Sequence, residues 1–202
     1  MKKILTSFTL FILFVIFLFC ITTNYTNAVS SNLSDNFFRL HILANSDSEK
    51  DQELKLKVRD NIIKYMNNQD FKNKQEALNY VQNNLSEFYK IAEQTIYNNG
   101  YDYSVNIQIG NFYFPTKYYG NISLPAGFYD GIKIEIGEAK GQNWWCSLFP
   151  PLCFVDISSG IVDKENIEAL EAELDSEEFN LITSSSDDIK FKFKIVEFIN
   201  NL

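Results

Sequence analysis

Phe37-Phe38-Arg39-Leu40-His41-Ile42-Leu43-Ala44-Asn45-Ser46-Asp47-Ser48 holds the change of period from which the fold can be read. Its first seven residues alternate well enough for a strand, with Phe38, Leu40 and Ile42 on one face. Ala44-Asn45-Ser46-Asp47 favours a turn, and Ser48 with Asp51 three positions later forms a helix-capping pair. Behind that cap Leu54, Val58, Ile62 and Met66 recur every four residues, flanked by Lys55, Lys57, Arg59 and Lys64 on the wetter faces. This is the pattern of an amphipathic helix, so the chain passes from strand to helix within a few residues.

Downstream, Leu78, Val81, Leu85, Phe88, Ala92 and Ile96 predict a second helix over residues 74–98, with Gly100 as its terminator. The period then falls to two. Tyr101, Tyr103, Val105, Ile107 and Ile109 alternate with polar residues as a strand with one wet face, and aromatic and β-branched residues continue to Ile122. Leu124-Pro125-Ala126-Gly127 reads as a turn before a strand carrying Ile132, Ile134 and Ile136, which together make an antiparallel unit. A helix over 164–174 capped by Asp163, a lysine-guarded edge strand over 189–195 and an amphipathic end over 196–202 complete the reading. The expected fold is α+β: an antiparallel or mixed sheet with two tandem amphipathic helices packed on one face.

Upstream, Lys2 and Lys3 precede an apolar run over residues 4–21, followed by Thr22-Thr23-Asn24-Tyr25-Thr26-Asn27-Ala28. Basic, apolar, then short and polar with a small final residue is the order of a secretory signal, with cleavage expected after Ala28. The run is also close to the length of a membrane span, so an uncleaved anchor is the other reading. Both predict export of the rest: residues 1–28 as signal peptide or anchor, 29–36 as a short linker, and 37–202 as one globular domain. Membrane contact is expected only through residues 4–21, if they stay attached. Removing 1–28 takes away two of the 18 basic residues and none of the 26 acidic ones, leaving a net charge of −10. That balance disfavours nucleic acid as a partner.

Cys20 lies in the export segment behind the bulky pair Leu18-Phe19, which does not suit a lipidation signal. Cys146 and Cys153 remain in the exported part, where an oxidising compartment favours a disulfide. They sit in the chain's most unusual stretch, Gly137 through Asp156, with both tryptophans and the Pro150-Pro151 pair. Trp144 and Trp145 have two readings: opposite faces of a strand, or the stiff apolar surface of a binding loop. His41 is the sole histidine, so a hydrolase would have to use it; a hydrogen-bonded structural histidine is the commoner outcome. Asn45, Ser46 and Asp47 could pair with it or serve as the helix cap. A thiol exchanger using Cys146 and Cys153 would normally show closer spacing. No metal site, phosphate loop or cofactor motif is evident.

Arg39-Leu40-His41-Ile42-Leu43-Ala44-Asn45-Ser46-Asp47-Ser48, Leu54-Lys55-Leu56-Lys57-Val58-Arg59-Asp60, Tyr119-Gly120-Asn121 with Leu124-Pro125-Ala126-Gly127, and Gly141 through Asp156 together resemble the stage II sporulation protein R family. The likeness covers nearly all of the exported part and weakens after about residue 160; Ala139 stands where glycine would be expected. The resemblance implies a protein made in the forespore and exported into the space between the forespore and mother-cell membranes. There it would activate a membrane-embedded aspartic protease of the mother cell, leading to processing of a sigma factor precursor. No catalytic centre and no cofactor are implied. The expected contact surface is Asn143, Trp144, Trp145, Phe149, Pro150 and Pro151, with His41, Asn45 and Asp47 as a second patch. An exported hydrolase or thiol-exchange enzyme using His41 or Cys146 and Cys153 is the alternative.

Overall fold

The structure, a computed structural model, describes residues 2–153 and 164–183. Helix α1 (Lys2–Asn36) leads directly into strand β1 (Phe38–Leu43), followed by helices α2 (Glu49–Asn67), α3 (Lys74–Asn83) and α4 (Leu85–Asn98). Strands β2 (Val105–Phe114), β3 (Lys117–Tyr119), β4 (Ile122–Leu124), β5 (Gly127–Ile136) and β6 (Asn143–Phe149) come next, and α5 (Lys164–Glu173) and α6 (Ser176–Thr183) end the described chain. The expected cap Asp163, the strand over 189–195 and the end over 196–202 lie outside the described residues.

Four strands form one mixed sheet in the order β2-β5-β1-β6, and β3 with β4 forms a separate hairpin. β1 is central, parallel to β5 and antiparallel to β6. Its contact with β5 is close: a Cβ on Gly131 would stand 2.6 Å from the Arg39 carbonyl oxygen, so only glycine fits there. One sheet face is apolar. Leu40, Ile42, Ile107, Ile132 and Ile134 join Leu54, Val58, Ile62, Phe88, Ala92 and Ile96 of α2 and α4 in a continuous core. The Ser48 hydroxyl caps α2 as expected, accepting from the Asp51 N–H at 3.3 Å.

Three expectations change. The helix predicted over 74–98 is two helices, because Asn84 turns its amide back: both its N–H and its side-chain Nδ2 donate to the Tyr80 carbonyl. Asparagine competes for backbone carbonyls in this way and so interrupts helices. The strand expected from Tyr101 starts at Val105, since the Tyr101 N–H closes the end of α4 on the Ile96 carbonyl. Residues 29–36, read as a linker, are helical, and Leu33 is fully buried. The end of α1 is tied down further: Lys74 Nζ donates to the Ser34 carbonyl at 3.0 Å and Asn36 Nδ2 to Glu178 Oε2 at 3.2 Å.

Earlier in α1 the side chains of Phe8, Leu10, Phe11, Leu13 and Phe14 are all exposed. Among the described residues no helix is long and apolar enough to cross a membrane.

Candidate functional site

β6 decides how the two tryptophans are displayed. It is an edge strand rather than a loop, so Trp144 and Trp145 point to opposite faces of the sheet. On the helix-covered face, the Arg59 guanidinium lies 4.1 Å from the Trp144 ring centroid, and the indole Nε1 has no hydrogen-bond partner among the described residues. On the other face, the register sets Trp145 beside His41, their ring centroids 4.6 Å apart. The Phe114 ring meets Trp145 edge-on at 5.1 Å, and Phe112 stacks on His41 at 5.7 Å.

The same face buries a cation. Arg39 is fully enclosed, its guanidinium 4.3 Å from the Phe114 centroid and 4.8 Å from that of Tyr129. Its Nη2 donates to the Tyr119 hydroxyl at 3.0 Å, while Nε and Nη1 have no partner among the described residues. Cation–aromatic stacking of this kind contributes about 0.5–2 kcal/mol per ring, which partly offsets the loss of hydration. Lys117 Nζ sits 6.0 Å from the Trp145 centroid, and Lys133 is paired with Glu135 at 2.8 Å.

These cations and the burial act on His41, which is 7% exposed. Desolvation and then Lys133 lower its pKa to about 4, with Glu135 opposing them and Arg39 adding a smaller lowering. The ring is neutral near pH 7. Among the described residues neither Nδ1 nor Nε2 has a hydrogen-bond partner, so the expected hydrogen-bonded histidine is instead an aromatic-stacked one. The registered neighbours explain this, because Lys133 and Trp145 flank it where an acceptor would be needed.

Asn45 and Asp47 are not brought to this group. Asn45 Oδ1 accepts from the Glu138 N–H at 2.9 Å and Asp47 Oδ1 from the Gln142 N–H at 2.7 Å, which clamps the β5–β6 turn. Burial pushes the Asp51 carboxyl up, but hydrogen bonds from Ser46, Asn45, Tyr103 and Ser48 outweigh it and hold the pKa below the ordinary value. Within the clamped turn Ala139 has φ +52°, a left-handed conformation that suits the glycine expected there.

Phe149 and Pro150 are buried, which leaves Asn143, Trp144, Trp145 and Pro151 with accessible surface. After the proline pair the chain folds back, the Leu152 N–H donating to the Ser147 carbonyl at 3.0 Å, and Cys146 and Cys153 form a disulfide. The Trp145 carbonyl accepts from the Tyr119 hydroxyl at 3.3 Å, so the outer edge of β6 is partly capped. Arg39, Phe112, Phe114, Lys117, Tyr119 and Tyr129 belong to the group but were not expected in it. Their only sequence signal is period-two placement, Arg39 beside His41 in β1 and the others in β2, β3 and β5. A separate groove between α2 and α4, lined by Asn61, Tyr65, Gln94 and Thr95, touches none of them. Among the described residues no cluster of His, Cys, Asp and Glu could hold a metal ion.

Comparison with known proteins agrees with the resemblance. The family model described as stage II sporulation protein R matches residues 34–159. A stage II sporulation protein R from Bacillus subtilis (strain 168) is 36% identical over 185 residues, which cover 84% of this chain and 83% of that protein. No solved structure matches. The matched region contains β1, both tryptophans and both disulfide cysteines, and the chain belongs to the stage II sporulation protein R family, with a role in sporulation.

Proposed function

We propose that this chain is an exported signal between compartments, which activates a membrane-embedded aspartic protease of the mother cell and so leads to processing of a sigma factor precursor. Residues 1–28 direct export into the space between the forespore and mother-cell membranes, either cleaved after Ala28 or retained as an anchor. Activation is by binding. The chain stabilises the active arrangement of the protease, which requires tighter binding to that state than to the inactive one.

The observation that best supports a binding role is the unbonded His41 ring within its aromatic group. A general base needs an orienting hydrogen bond and a reacting group within reach. His41 has neither among the described residues, whereas the half-buried Trp145 beside it is the kind of rigid aromatic anchor that dominates protein interfaces. Family membership supports the sporulation setting.

The test is reconstitution of the full chain, or of a form starting at residue 29, with the membrane protease and its precursor substrate. Processing that depends on the added chain, and that falls with a folded Trp145→Ala variant, is expected. Processing at the same rate without the chain refutes the activating role.

A further inference from the structure

Basic side chains shielded from water gather around β6 without the carboxylates that pair such groups elsewhere in the domain. Lys74, Lys133 and Lys140 each meet an acidic side chain at 2.6–2.8 Å. Among the described residues Arg39, Lys55 and Lys117 form no such pair, although Arg39 and Lys55 are 0% and 4% exposed and Lys117 is half-buried. All three border one strand: Arg39 lies opposite Ser147, Lys55 donates to the Gln142 carbonyl at 2.9 Å, and Lys117 stands over Trp145. The acids nearby are engaged, Asp47 by the Gln142 N–H and Glu135 by Lys133 and Asn106. In a chain of net charge −8 this is a local reversal of sign.

Charge held in a low-dielectric setting acts over a longer range than charge on a solvated surface. Arg39 is enclosed and Lys117 is accessible, so Lys117 is where a partner can meet the combined field. We infer that the Trp145 face of β6 receives an acidic protein segment, with a carboxylate beside Lys117 and its apolar atoms against the Trp145 and Phe112 rings. This names the chemistry of the receptor contact and rests on the reading of the chain as an activating ligand. Such a segment would supply the negative charge that the site lacks, and it would meet an aromatic platform already fixed by the sheet.

The experiment has two arms. In the first, the full chain in detergent is titrated with a short oligoglutamate peptide and with its oligoglutamine counterpart, followed by tryptophan fluorescence. Oligoglutamate should half-saturate at roughly one tenth of the oligoglutamine concentration, with binding weakened by added salt. Lys117→Glu and Lys117→Gln should both weaken it, by roughly fivefold or more for the charge reversal, while Lys90→Glu on the exposed face of α4 should leave it within about twofold. Equal binding of the two peptides, or unchanged binding by folded Lys117 variants, overturns the inference.

In the second arm the same variants are compared in precursor processing. If the wild-type chain promotes processing and Lys117→Glu does so at the same half-saturating concentration, the acidic contact is wrong and the activating role stands. If oligoglutamate binds as expected but the wild-type chain promotes no processing, the activating role falls and the acidic-segment site remains.

Discussion

Acidification should weaken this domain through one residue, and the size of the effect follows from the surroundings of His41. The folded protein holds its ring neutral with a pKa of about 4, whereas in the unfolded chain the value returns to 6.5. Between those two values the unfolded state binds a proton that the folded state refuses. Stability is therefore whole above pH 6.5 and falls as pH drops, by about 1.4 kcal/mol per unit, until the folded ring protonates near pH 4. The total is about 3 kcal/mol, a large share of the 5–15 kcal/mol typical of a domain. Urea unfolding at several pH values, for wild type and His41→Phe, isolates the contribution, because subtraction removes the carboxylates common to both proteins. The difference between the two should shrink or reverse towards pH 7 and grow in favour of the variant towards pH 4.5. The histidine proton resonance offers a direct check, since no other histidine is present. A resonance that titrates in the folded protein with a midpoint above about 6 would refute the burial argument.

Other expectations concern the frame around the site. Ala139→Gly should stabilise the domain by about 0.5–1 kcal/mol, because relief of the left-handed backbone exceeds the added freedom of the unfolded chain; a lower melting temperature would contradict this. Leu33→Ala should cost about 2–4 kcal/mol in urea unfolding, and a protein starting at residue 37 should be less stable than one starting at 29. Replacing Cys146 and Cys153 by serine should lower stability by about 2–3 kcal/mol, the loop-closure contribution of a short ring, measured against the oxidised parent.

Much of the local structure was legible because it depends on neighbours in sequence. The Ser48 cap, the α2 stripe from Leu54 to Met66, the alternation of Ile132, Ile134 and Ile136, and the pairing of Cys146 with Cys153 follow from spacing or compartment. The opposite facing of Trp144 and Trp145 was one of two readings open before the strand was seen. What could not be read is register. Nothing in the local pattern of β1 says that it runs parallel to β5, or that His41 meets Trp145 rather than its neighbour, since those pairings are chosen by packing across the whole sheet. The aromatic enclosure of Arg39 was hidden for the same reason: Phe114, Tyr119 and Tyr129 reach it from three strands. The break at Asn84 turns on a hydrogen bond that competes with the helix over a few tenths of a kcal/mol to about 1 kcal/mol, too little for apolar periodicity to register.

The central position of β1 sets an order in time. Its strand is synthesised at the start of the domain, yet both neighbours, at Gly131 and Ser147 opposite Arg39, arrive about 90 residues or more later. A chain emerging N-terminus first would carry an apolar strand with neither edge filled until β5 had appeared and one edge open until β6 followed, a state prone to pairing with the wrong partner. The Trp145 face can exist only after β6 docks. A copy interrupted before residue 149 therefore presents no such face, so the architecture itself reports that β6 has been made.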